Sequence, residues 1–275
     1  MEHAFGTIEQ PEVLPIADIK QENERVRTFY FDKAMKSQPG QFVIVWIPRL
    51  DEKPFSIASE ENGRLGLAIA KVGAFTEKLF TMKKGEQIGL RGPYGSWFTT
   101  ENDYKKILLI GGGYGVAPLS FLAQQAKKQD ITIDFCNGAR TSDQILFKDK
   151  LHKLNINLHI TTNDGSDGQT GTVLDSTNEC LNKNKYDCVY VCGPEVMEKK
   201  VAEQCDKLGV PCQVSIERYM KCGFGICGQC CLDDSGARMC KEGPVVWGDY
   251  ALKQKEFGHY HRTKSGKIEK TNVQH

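Results

Sequence analysis

Four cysteines, Cys222, Cys227, Cys230 and Cys240, stand in the spacing C-x4-C-x2-C-x9-C, and five of the chain's eleven cysteines fall within that stretch. Three thiolates on one short loop and a fourth nearby must converge on a single centre, and C-x4-C-x2-C with a distant fourth ligand is the pattern of plant-type [2Fe–2S] centres. Gly223, Gly225 and Gly228 lie between the ligands. They supply the backbone freedom such a loop needs and amides able to point at cluster sulfurs. The alternative is a structural zinc site, but zinc ribbons present two C-x2-C knuckles. Here there is one such pair, Cys227 and Cys230. Cys231, beside a ligand, points away and is left out of the set. Cys136, Cys180, Cys188, Cys205 and Cys212 read as small buried hydrophobes.

A chain of 275 residues suggests two domains plus an appendage. With 36 basic against 35 acidic side chains the net charge is +1, which favours neither nucleic acid nor an anionic membrane surface. Met1–Gln10 is polar and mixed in charge, so no secretory signal is expected. The longest apolar stretch, Ile107 to Leu119, is interrupted by Gly111, Gly112, Gly113 and Gly115 and cannot span a bilayer. A cytoplasmic location is expected, where structural disulfides are rare.

The first hundred residues read as strands and turns. Val26–Phe31 and Phe42–Ile47 are β-branched and aromatic, and Leu65, Leu67 and Ile69 alternate with smaller neighbours. Turn signals at Gln38-Pro39-Gly40, Glu61-Asn62-Gly63, Lys84-Gly85 and Gly92-Pro93 separate them, the rhythm of a small antiparallel barrel. Near Asn102 the rhythm changes. Strands at 106–110, 131–135, 157–161, 188–192 and 213–216 alternate with helices at 119–128, 143–153 and 195–208, which implies a parallel sheet covered on both faces. The expected fold is therefore multi-domain: an antiparallel β-barrel flavin domain over 1–101, an α/β nucleotide domain over 102–211 and a small C-terminal [2Fe–2S] domain over 212–275. The charged tail from Leu252 has no assigned role, and His259 and His261 within it read as solvated.

Two loops in the second domain invite a dinucleotide. Gly111, Gly112, Gly113 and Gly115 follow a strand and open a helix, where backbone amides and the helix dipole suit a pyrophosphate. Cys192-Gly193-Pro194 repeats the arrangement after a later strand. In a parallel sheet both loops face one crevice beyond the strand ends.

In this order, barrel, Gly-Gly-Gly-Tyr-Gly-Val-Ala-Pro loop, Cys-Gly-Pro turn and cysteine cluster, the chain resembles the ferredoxin–NADP reductase superfamily. Glu217-Arg218-Tyr219-Met220-Lys221-Cys222-Gly223 and Cys240-Lys241-Glu242-Gly243-Pro244-Val245 narrow the resemblance to the electron-transfer subunits of NAD-linked, type B dihydroorotate dehydrogenases. The resemblance implies FAD in the barrel. Lys53, Pro54, Phe55 and Ser56 match the first flavin motif, Ala70, Lys71, Val72 and Gly73 the strand end near the ribityl–pyrophosphate, and Phe75 and Thr76 the pair opening a short helix at the phosphates. Lys53 stands where the family has arginine, a point charge in place of a bidentate fork. Phe75 stands where the family has glycine.

The family implies electron passage from an FMN-containing catalytic dihydroorotate dehydrogenase subunit, through [2Fe–2S] and FAD, to NAD+, in a heterotetramer with two copies of each chain. Cys192 is then the side chain expected near nicotinamide and flavin, and Phe224 and Ile226 are expected as exposed apolar contacts for the partner. Arg140, Thr141 and Ser142 leave NADP open. Subunits of sulfide dehydrogenase, ferredoxin:NADP oxidoreductase or hydrogenase type are alternatives, as is a zinc-stabilised nucleotide-binding regulator without redox turnover.

Overall fold

The computed structural model describes residues 10–271. The first lobe comprises β1 (Glu12–Pro15), β2 (Asp18–Gln21), β3 (Val26–Phe31), β4 (Phe42–Ile47), β5 (Asp51–Glu61), β6 (Arg64–Ala70), α1 (Ala74–Thr81) and β7 (Gln87–Tyr94). Its strands form one curled antiparallel sheet, ordered β1-β7-β4-β5-β6-β3-β2. Alternation sets its inner face: Phe29, Phe31, Val43, Val45, Ile57, Leu65, Leu67 and Ile69 are all buried. Side chains of this size contribute about 1.5–3 kcal/mol each when fully buried.

The second lobe comprises β8 (Lys106–Gly112), α2 (Val116–Lys127), β9 (Thr132–Ala139), α3 (Lys148–His152), β10 (Asn157–Thr162), β11 (Gln169–Thr170), α4 (Val173–Lys183), β12 (Cys188–Cys192), α5 (Glu195–Leu208) and β13 (Cys212–Ser215). Its sheet runs β11-β10-β9-β8-β12-β13-β14, where β14 (Val245–Trp247) pairs antiparallel with β13. The central strands are apolar throughout because both faces are covered. Ile107 and Leu109 pack with α2 and α3, while Leu108 and Ile110 pack with α4 and α5.

The helix expected over 143–153 is broken. A 3-10 turn at Ser142–Gln144 is followed by Phe147 at φ 57°, and α3 begins only after it. The Phe147 ring is buried in the core, and holding it there takes the backbone out of helical register. The helix α4 escaped the sequence reading because its Asp-Ser-Thr-Asn stretch has poor helix propensity. Its start is fixed instead by Asp175, whose carboxylate accepts the Thr172 N–H at 2.7 Å.

The lobes interpenetrate. Phe121 of α2 is buried in the barrel core, and Tyr190 donates to the Thr99 carbonyl at 2.7 Å. The chain leaves the sheet after β13, runs through the cysteine loop and returns as β14. It then forms α6 (Gly248–Leu252) and a hairpin, β15 (Tyr260–Arg262) with β16 (Ile268–Lys270). Arg262 pins the hairpin to Asp233 with bonds of 2.7 and 2.9 Å. Among the described residues no helix is long and apolar enough to cross a membrane.

Candidate functional site

The strand order reverses between β8 and β12, so the crevice beyond their carboxyl ends lies at the switch point. The glycine loop ends β8 and the Cys192-Gly193-Pro194 turn ends β12, and the two touch. A β-carbon on Gly115 would stand 2.1 Å from the Cys192 carbonyl oxygen, one on Gly112 2.8 Å from Met197 Sδ, and one on Gly111 2.7 Å from Val116 Cγ2. Gly113 is different: it has φ +54° and open space around it. Packing demands three of these glycines and backbone conformation the fourth.

The turn is held from behind by Glu198, a residue the sequence reading missed. Its Oε1 accepts the Gly193 N–H at 3.0 Å. Its Oε2 has no partner, the side chain is fully buried, and burial pushes the carboxyl well above the usual range. Burial likewise pushes the Cys192 thiol up. Glu195, next along, receives the Arg218 guanidinium at 2.6 Å, and Arg218 also meets Glu256 at 3.3 Å with all three buried. A buried cation this close to the turn carried no local motif. Arg140 is exposed after β9, and the Thr141 hydroxyl beside it bonds Asp143.

On the barrel, Lys53, Pro54 and Phe55 lie along β5, half-buried, with Ser56 exposed beyond them. Lys53 Nζ pairs with Asp51 at 2.6 Å and sits 5.7 Å from the centre of the Tyr219 ring. Ala70, Lys71, Val72 and Gly73 run from the end of β6 to the start of α1, and Val72 is 72% exposed. Thr76 Oγ1 accepts the N–H groups of Val72 and Gly73 at 2.9 and 3.1 Å. Phe75 turns into the barrel core and stacks on Phe55 at 6.0 Å. Its side chain therefore leaves the solvent face of the turn clear. A helix start whose first amides lack intrahelical partners suits a phosphate.

The cysteine loop packs on this barrel. Arg91 of β7 holds Glu52 at 2.8 Å and donates to the Cys222 carbonyl. Phe224 leans on Tyr94, ring centres 6.5 Å apart, so of the two expected contacts Ile226, 78% exposed, is the open one. Within the loop, the Cys227 N–H points at Cys222 Sγ (3.5 Å) and the Cys240 N–H at Cys230 Sγ (3.4 Å). Gly223, Gly225 and Gly228 all have positive φ, at 84, 89 and 68°. Burial opposes ionisation of Cys222, yet the amides of Cys227, Phe224 and Ile226 outweigh it and draw the thiol down to about 6. Burial and the neighbouring Cys230 push Cys240 up to about 12.

Cys222 and Cys227 form the more open half of the loop, Cys230 and Cys240 the buried half. Four thiolates on one zinc sit about 3.8 Å apart. Among the described residues the sole triplet of His, Cys, Asp or Glu ligand atoms within 4.8 Å of one another is Asp134, His159 and Cys180, outside this loop. Two cysteine pairs spread more widely than a zinc tetrahedron fit a two-iron cluster.

Comparison with known proteins agrees with this anatomy. The family described as "Iron-sulfur cluster binding domain of dihydroorotate dehydrogenase B" matches residues 217–251, and "Oxidoreductase NAD-binding domain" matches 109–203. A Methanocaldococcus jannaschii protein named "Probable dihydroorotate dehydrogenase B (NAD(+)), electron transfer subunit" is 45% identical over 94% of this chain and 98% of its own. The protein of the same name from Methanothermobacter thermautotrophicus is 44% identical over 94% and 96%. Among solved structures, that of an NADH-dependent reduced ferredoxin-NADP oxidoreductase superposes with a TM-score of 0.79 at 29% identity, covering 89% of this chain and 90% of that one.

Proposed function

The chain belongs to the family of NAD-linked dihydroorotate dehydrogenase B electron-transfer subunits, and from that premise we propose that it carries electrons from a catalytic FMN subunit oxidising dihydroorotate to NAD+. Cys222, Cys227, Cys230 and Cys240 hold a [2Fe–2S] cluster. Lys53, Pro54, Phe55, Ser56, Ala70, Lys71, Val72, Gly73, Phe75 and Thr76 hold FAD, and Gly111, Gly112, Gly113, Gly115, Cys192, Gly193 and Pro194 hold NAD. A bound flavin supplies the exchange between single electrons on the cluster side and hydride on the nicotinamide side. The rest is positioning by this chain. Arg91 anchors the cysteine loop against the barrel beside β5, and Thr76 shapes the phosphate turn. Glu198 holds the turn on which the nicotinamide rests.

The observation that carries this reading is the seat of the cysteine loop on the flavin-motif barrel. A β-carbon on Gly223 would come within 3.0 Å of Ile44 on β4, the strand paired with Lys53–Ser56 of β5. The exposed half of the loop, with Ile226 at its tip, then faces the partner, and two copies of each subunit assemble in a compartment that keeps thiols reduced. The test is anaerobic NADH formation from dihydroorotate by the chain plus its FMN partner, before and after Cys230→Ser. Loss of coupled turnover with NADH:ferricyanide activity retained is expected. Coupled turnover that survives loss of the cluster would refute the route.

A further inference from the structure

Beneath α4, on the face of the nucleotide sheet opposite α2, lies a second set of metal-type side chains that the electron path does not use. Asp134 and Cys136 are two residues apart on β9 and share a face. His159 on β10 is the cross-strand partner of Cys136, and Cys180 descends from α4. One ligand atom from each of Asp134, His159 and Cys180 lies within 4.8 Å of the others, and Cys136 Sγ is 3.8 Å from Cys180 Sγ. Cys136 therefore flanks the triplet through Cys180 rather than joining it.

The geometry points to a Zn2+ site formed by Asp134, His159 and Cys180, tying α4 to β9 and β10, with the fourth position left to water. One thiolate and one carboxylate would balance the two charges of the ion. Lys106, with Nζ 2.9 Å from Asp134 Oδ2, helps to fix that carboxylate. The outer shell is in place: the Tyr186 hydroxyl donates to Asp134 Oδ2, and Asn157 donates to Oδ1 at 2.6 Å. His159 opens to solvent beside the two-residue β11, which leaves the ion a way in. Of the two cysteines read from sequence as small buried hydrophobes, Cys180 acquires a ligand role.

The test uses the full chain loaded with FAD and cluster, exposed to Zn2+ and then passed through a mild chelator, with zinc, iron and FAD counted by elemental analysis and absorbance. The expected result is about one tightly held zinc per FAD. Retention should fall by about tenfold or more in Cys180→Ser and in His159→Gln, with iron per FAD unchanged. His159→Gln, at a part-exposed position, keeps the test valid should Cys180→Ser fold poorly. No retained zinc in the parent protein would overturn the site, as would recovery of Cys136 and Cys180 as a disulfide. Zinc retained equally by both variants, or gained only as iron is lost, would place the metal in the cysteine loop and also overturn it.

Discussion

Gly115→Ala isolates the contact between the two nucleotide loops. Gly115 has φ −62°, so alanine meets no backbone penalty and the effect is steric alone. The added β-carbon would lie 2.1 Å from the Cys192 carbonyl oxygen and 2.3 Å from its carbon. Carbon atoms pack at about 3.5–4.0 Å, so the loops must part by about 1.2 Å. A misplacement of about 1 Å in a reacting geometry costs roughly 100-fold in rate, or about 2.7 kcal/mol of transition-state stabilisation. The assay is steady-state NADH:ferricyanide reduction, with FAD and iron contents as controls. Expected is a fall in kcat/KM of about 100-fold with both cofactors retained. Gly113→Ala is the contrast: its β-carbon meets nothing within 4 Å, and φ +54° costs about 1–2 kcal/mol of stability. Should Gly115→Ala stay within about threefold of the parent, or Gly113→Ala be the more damaging to kcat/KM, the loops do not form the nicotinamide site as described.

Glu198→Gln keeps the acceptor for Gly193 but removes a titrating group. Burial raises the folded-state value, so stability tied to the proton is present below the ordinary glutamate range and lost as pH rises toward the folded value, by up to about 1.4 kcal/mol per pH unit. Denaturation at about pH 5 and about pH 8 should show the variant gaining on the parent at the higher pH. Thr76→Val removes the acceptor for two amides, should cost about 1 kcal/mol at the α1 start, and should weaken FAD binding about fivefold in flavin titration. Arg218→Met leaves Glu195 and Glu256 buried without their cation, and calorimetry should register a loss of about 3–5 kcal/mol.

What the sequence could reveal depended on whether the information is local. β3, β4, β12 and α5 were legible to the residue, because period and turn chemistry act over a few neighbours. The iron–sulfur segment was legible because closely spaced cysteines fall on one loop, and the iron–sulfur family model matches residues 217–251 there. Phe75 looked like a defect in the phosphate turn, since nothing local says that its ring finds Phe55 across the barrel. Glu198 and Arg218 were invisible for a related reason. Five residues separate Gly193 from Glu198, and 23 separate Arg218 from Glu195, so each role exists only once α5 and the cysteine segment are packed. The C-terminal hairpin reads as solvated charge until Asp233 is placed beside Arg262.

Those long-range contacts explain how two sites made from distant stretches keep a fixed relation. Arg218 lies four residues before Cys222, and its partner Glu195 directly follows the Cys192-Gly193-Pro194 turn. Glu256, its other partner, receives the Asp233 N–H at 2.7 Å, three residues after Cys230 in the chain. Arg91 makes the corresponding link from the barrel, bonding both Glu52 and the carbonyls of Lys221 and Cys222. The cysteine loop is thus held on one side by a guanidinium tied to the segment after the Cys192-Gly193-Pro194 turn and on the other by a guanidinium tied to β5. Arginine suits both places because its planar fork serves several acceptors at once, which a lysine ammonium at the end of a flexible stem does not. On the proposed cofactor placement, two buried arginines would hold the spacing through which electrons pass.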